Sequence, residues 1–196
     1  EGFGKAFDAQ LATTREGYDF KQAGNLMYVT TEWGMVTIDL HTFQKKIYQC
    51  PWTKPIMRLR TIVTENKDKW WVRSFDQGVF VFNPQTQQFI RHYNLGKTCK
   101  GCDAPSANYL VRDMKGRIFV STNVGLFKFD NTRDTFLLVH PKGKLVMGSS
   151  LMGMAIDGNG LIWIGSDNGI IAYNADSDRV VKIFSENNRI GQVQRI

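Results

Sequence analysis

The chain has 196 residues, 42% hydrophobic and 12% aromatic, with a formal charge of +7; such a composition supports a substantial buried core and carries no signature of disorder. No apolar run approaches the roughly 20 residues that cross a bilayer, and Glu1-Gly2-Phe3-Gly4-Lys5 has no apolar signal-peptide core, so an exported parent would carry its signal ahead of this point. The basic residues are scattered through turns, as in Lys67 with Lys69 and Lys142 with Lys144, rather than set in one stripe with aromatic platforms. That argues against a nucleic-acid partner and leaves salt-sensitive attraction to an acidic glycan as the milder reading.

Taken from the N-terminus, residues 1–17 contain no complete unit, although Phe3, Phe7 and Leu11 suit the last strand of a preceding one. From Tyr18 onward one arrangement recurs four times. A strand led by an aromatic residue (Tyr28-Val29, Trp71-Val72, Phe119-Val120, Trp163-Ile164) is followed by a short loop ending in Gly34, Gly78, Gly125 or Gly169, at intervals of 44, 47 and 44 residues. Five residues later Asp39, Asn83, Asp130 or Asn174 opens a turn, and Phe43, Phe89, Phe136 and Val180 then lead the next strand, with a slip of register in the first copy. The second copy has one extra residue in its loop, Ser74-Phe75-Asp76-Gln77. In the last copy Gly169 suits the left-handed position closing a three-residue hairpin loop.

Four strands per unit and a period near 44 residues predict an all-β fold, a β-propeller segment of about four four-stranded blades. The units span 18–50, 51–97, 98–140 and 141–185, and 186–196 reads as the start of a fifth. Each sheet has two apolar faces, so blades must stack, with the aromatic of the second strand filling the space against the next blade. A seven-bladed ring needs roughly 300 residues, so the segment is expected to be completed by further blades of its parent or by a second copy as a homodimer.

The run Asp157-Gly158-Asn159-Gly160-Leu161-Ile162-Trp163-Ile164-Gly165-Ser166, continued to Asn174, closely resembles the two-component regulator propeller repeat, and Asp113 to Leu126 matches nearly as well. The first two copies depart from it, with Gln22-Ala23-Gly24-Asn25 and Asn66-Lys67-Asp68-Lys69 as their turns. The resemblance implies the periplasmic sensor of a hybrid two-component histidine kinase, many of which control polysaccharide use. Its kinase would lie outside this chain, its ligand would be an oligosaccharide or another extracytoplasmic ligand, and no cofactor and no membrane contact by this segment are expected. The leading alternative is a propeller that scaffolds other proteins at the cell envelope, and a propeller lyase or hydrolase is the third reading.

In a propeller, the loops between second and third strands and the connectors between blades share one face around the central channel. On that face Trp33 and Trp52 are the candidates for stacking on a sugar ring, and Arg58, Asp76, Tyr109, Asn123 and Asp167 for polar contacts. Trp70, Trp71 and Trp163 read as core. The pair Cys99-Lys100-Gly101-Cys102 lacks the His of a haem attachment and the ligand number of a zinc site. A local Cys99–Cys102 disulfide that leaves Cys50 unpaired is the leading reading, with free thiols as the other. His41, His92 and His140 have no nucleophile at a recognised spacing, so no catalytic residues are assigned.

Overall fold

The computed structural model describes residues 17–99, 105–143, 150–167 and 169–185. They form sixteen strands in four antiparallel four-stranded meanders, the all-β architecture of a propeller segment. Blade one holds β1 (Phe20–Ala23), β2 (Leu26–Thr30), β3 (Met35–Asp39) and β4 (Lys45–Tyr48). Blade two holds β5 (Leu59–Thr64), β6 (Trp70–Ser74), β7 (Gly78–Asn83) and β8 (Gln88–Tyr93). Blade three holds β9 (Ala107–Arg112), β10 (Ile118–Thr122), β11 (Gly125–Asp130) and β12 (Thr135–Leu138), and blade four β13 (Leu151–Ile156), β14 (Ile162–Ser166), β15 (Gly169–Asn174) and β16 (Arg179–Phe184). Residues 1–16 and 186–196, assigned above to neighbouring blades, lie outside the described residues.

The turn between third and fourth strands is built identically four times. Asp39 Oδ1 accepts from the backbone N–H groups of His41 and Thr42, and Asn83, Asp130 and Asn174 do the same two and three residues ahead. Each turn then passes through a left-handed residue: Phe43, Gln87, Asp134 and Asp178, with φ of 56°, 56°, 49° and 53°. This corrects the reading of Phe43. It occupies the turn position held elsewhere by Gln87, and it is 72% exposed, whereas Phe89, Phe136 and Val180 are buried. The hairpin before Gly169 is also tighter than expected, because Ser166 pairs directly with Gly169 and leaves two residues between them. Gly169 has φ +118°, and a Cβ there would lie 1.9 Å from the Phe184 carbonyl oxygen, so the close approach of β16 requires glycine as much as the turn does.

The aromatics of the second strands fill the spaces between blades. Tyr28 meets Trp70 and Phe82 edge-on at 4.8 and 5.9 Å, Trp71 meets Phe129 and Phe136 at 4.7 and 5.8 Å, and Phe119 meets Tyr173 at 6.5 Å. Three core clusters result, one between each successive pair of blades. Each aromatic pair adds about 0.5–1.5 kcal/mol beyond its area burial. Trp70 and Trp71 are buried as expected. Trp163 is only half-buried: it stacks on Phe184 of its own blade at 6.0 Å and donates Nε1–H to Asp157 at 2.8 Å.

Candidate functional site at the channel

The first strand of each blade is innermost, and in blades two to four it starts with a bulge. Leu59 faces Ser74 and Ile62 faces Val72, so Arg60 and Thr61 together oppose Arg73. In blade three Asn108 is the extra residue between Ala107 and Tyr109, and in blade four Met152 and Gly153 lie between paired Leu151 and Met154. Bulges re-aim side chains at the rims of sheets. Here they turn Arg60, Thr61, Asn108, Tyr109, Met152 and Gly153 into one cavity of about 480 Å³, which Tyr18, Asp19 and Arg73 complete. All four blades contribute to its wall.

Beside this channel the face of blades one and two is tied by hydrogen bonds. The Glu32 carbonyl accepts from the N–H groups of Met57 and Arg58 at 2.7 and 2.8 Å, Leu59 N–H donates to Thr31, and Phe75 N–H donates to Arg58. Gln49 Nε2 bonds the Trp33 and Pro55 carbonyls, and Gln77 Nε2 bonds that of Ile56. The connector from Gln49 to Arg58 is thereby fixed to the hairpin loops on either side, although it contains no regular strand.

Charges repeat the linkage. Arg58 lies 3.7 Å from Glu32 and 3.2 Å from Asp76, and Arg60 reaches Glu32 Oε1 at 2.9 Å while its guanidinium covers the Tyr18 ring at 3.5 Å. Partial burial pushes the Glu32 carboxyl up, but hydrogen bonds from Arg60 and Tyr18 and the charges of Arg60 and Arg58 outweigh it and hold the group below its ordinary range.

The sequence-selected residues do not form one cluster. Arg58 and Asp76 are bonded to each other, and Tyr109 lines the cavity. Trp52 is 55% exposed on the connector, which also exposes Ile56, and Trp33 is half-buried. Asn123 is a tie between segments: its Oδ1 accepts from Ser106 N–H at 2.9 Å and its carbonyl from Ser150 N–H at 3.1 Å. Asp167 is partly buried, and its Oδ1 is buried without a hydrogen-bond partner. Cys99 is disulfide-bonded and Cys50 is a free, buried thiol; Cys102 lies outside the described residues. Among the described residues no group of His, Cys, Asp and Glu is arranged to hold a metal ion.

The sequence reading missed Arg60 and Arg73. Arg73 could have been found, because at its place in the repeat the other blades carry Thr30, Ser121 and Gly165. A large cation among small residues is a departure visible once the copies are aligned.

Comparison by sequence finds no matching family model and no matching curated protein. Comparison by structure does find neighbours. The extracellular domain of BT3049 from B. thetaiotaomicron, assigned as a hybrid two-component system, superposes with a TM-score of 0.69 at 22% identity, over 91% of this chain and 24% of that one. The chain has the fold of the part of that domain it covers. The extracellular domain of BT4673 from the same organism, in a structure described as of a hybrid two-component system, gives a TM-score of 0.66 at 15% identity over 87% of this chain and 22% of that one. The dihydro-heme d1 dehydrogenase NirN gives 0.60 at 13% identity, over 88% of this chain and 37% of that one. The same sheet architecture therefore also occurs in an enzyme, and fold alone does not assign an activity. This chain spans about a quarter of the length of the two extracellular domains.

Proposed function

We propose that this chain is a recognition segment of the extracytoplasmic, periplasmic sensor of a hybrid two-component regulator, that it binds an oligosaccharide at the channel face, and that its parent passes the signal to a kinase outside this segment. The supporting observation is the fixed connector of blades one and two. It carries exposed Trp52 and Arg58 and is bonded to the loop of half-buried Trp33; Arg58 pairs with Glu32 and Asp76, and Glu32 in turn pairs with Arg60 on the wall of a cavity to which all four blades contribute. A flat aromatic next to oriented charged groups is the chemistry that sugar recognition uses: apolar ring faces stack and hydroxyls find hydrogen bonds. The extracellular domains that share the fold support the compartment and the sensory role.

Signalling requires the ligand to favour one arrangement of packed blades, or of two sensor copies, over another. Because each interblade space is filled by a second-strand aromatic, a ligand that bridges blades would bias that packing. Titration with a panel of defined oligosaccharides, followed by tryptophan fluorescence and calorimetry, tests the reading. Saturable binding of one glycan class supports it. Absence of glycan binding together with stable retention of envelope proteins would favour the scaffold instead.

A further inference from the structure

Arg73 differs from its counterparts in a way that packing does not require. Thr30 of blade one and Ser121 of blade three each donate a side-chain hydroxyl to an inner-strand carbonyl of the next blade, at Arg60 and Met152. Arg73 makes the corresponding bond with Nη1, to the Ala107 carbonyl of blade three, while Nε–H donates to Thr61 Oγ1 at 3.4 Å. A serine or threonine performs this linking role in two of the blades, so the guanidinium brings something additional: a positive charge and spare donors. Of the five N–H donors of an arginine, these bonds use two, which leaves three with no protein partner among the described residues.

The charge is unpaired as well. Arg73 is 8% exposed, and it takes no part in the ion pairs found among the described residues. Its neighbour Arg60 is neutralised by Glu32. Asp19, the carboxylate on the same cavity wall, accepts backbone N–H bonds from Phe20 and Ile62 with its two oxygens. Burial, with the like charge of Arg60, pushes the Arg73 guanidinium down to about 10. A buried charge without a counter-ion is costly, and planar guanidinium donors match the oxygens of a carboxylate or sulfate.

We infer that the channel cavity binds an oxyanion-bearing ligand, a sugar acid or sulfated sugar, with its anionic group seated on Arg73. This rests on the reading of the channel face as the recognition end of the segment. The cavity, at about 480 Å³, falls within the ~300–1,000 Å³ of small-molecule sites. Asn108 and Tyr109 on the adjoining bulge stand ready for the ring hydroxyls, Asn108 already donating Nδ2–H to the Leu151 carbonyl at 2.7 Å.

The test uses the whole chain with D-glucuronate, inorganic sulfate and D-glucose as probes, read by calorimetry and by the Arg73 Nε–Hε NMR signal. Glucuronate or sulfate is expected to bind saturably and shift that signal, and glucose to do neither; which anion binds more tightly separates a carboxylate from a sulfate ligand. Arg73→Ser, which keeps the hydroxyl link used by blade three, is expected to weaken anion binding by roughly 10- to 100-fold, the loss of a hydrogen bond to a charged group. Arg179→Ser, removing an equal charge from the exposed outer strand, should leave it unchanged. Equal affinity in the Arg73→Ser protein, or an unmoved Arg73 signal in the unaltered one, overturns the inference. Binding of a neutral oligosaccharide without any of an anion overturns the inference alone and leaves the proposed function intact. No binding of either kind removes both.

Discussion

The Arg60 guanidinium, on the inner strand of blade two, donates to Glu32 Oε1 in the hairpin loop of blade one at 2.9 Å. This bond joins the hairpin loop that carries Trp33 to a residue of the channel wall. A change felt at Trp33 therefore has a short physical route to the cavity.

The route is acid-sensitive. Glu32 has a folded-state pKa below its ordinary value of 4.5, so its contribution to stability is complete above the unfolded value and is lost as pH falls through the folded one. Melting temperatures measured between about pH 6 and about pH 3 should fall less steeply for Glu32→Gln than for the unaltered protein. The difference amounts to about 1 kcal/mol or less, because the carboxylate is 31% exposed and partly screened. Parallel slopes would show that the link contributes nothing.

Two tryptophans at equivalent repeat positions should differ in cost. Trp71→Ala removes a fully buried ring that contacts Phe129 and Phe136 across an interface, and should destabilise by about 3–5 kcal/mol in denaturant unfolding. Trp163→Ala removes a half-buried ring whose aromatic neighbour is in its own blade, and the loss should be clearly smaller. Similar losses would mean that Trp163 is covered in solution by a further blade or a second copy.

Glycines separate in the same manner. An alanine at 169 would place its Cβ 1.9 Å from the Phe184 carbonyl oxygen at φ +118°, whereas at 158 it would meet nothing within 4 Å. Gly169→Ala should lower stability by well over about 1 kcal/mol by displacing β16. Gly158→Ala should stay within about 0.5 kcal/mol of the parent. Thermal unfolding of the two variants side by side decides it.

At the face, Trp52→Ala should weaken binding of a recognised oligosaccharide by about tenfold, the scale of a lost ring contact. Its melting temperature should stay near that of the parent, because the side chain is 55% exposed. Calorimetry with unchanged affinity would remove Trp52 from the site.

Much of this protein is determined by local chemistry that a sequence displays directly. Asp39, Asn83, Asp130 and Asn174 cap their own turns through backbone groups two and three residues ahead, and the second-strand aromatics recur with them. The strands, their order in each sheet and the sheet count follow from that repetition. What depends on residues distant in the chain had to await the tertiary structure. Phe43 resembles Phe89 until the turn places it in a left-handed position, and Asn123 resembles a free ligand group until Ser106 and Ser150 are found on it. Alignment of the repeats sets Arg73 apart from Thr30, Ser121 and Gly165 but gives no sign of its surroundings. Only the bulge opposite it and the closeness of blade three make it a buried cation on a cavity wall, since burial and pairing are properties of the neighbours that folding brings together.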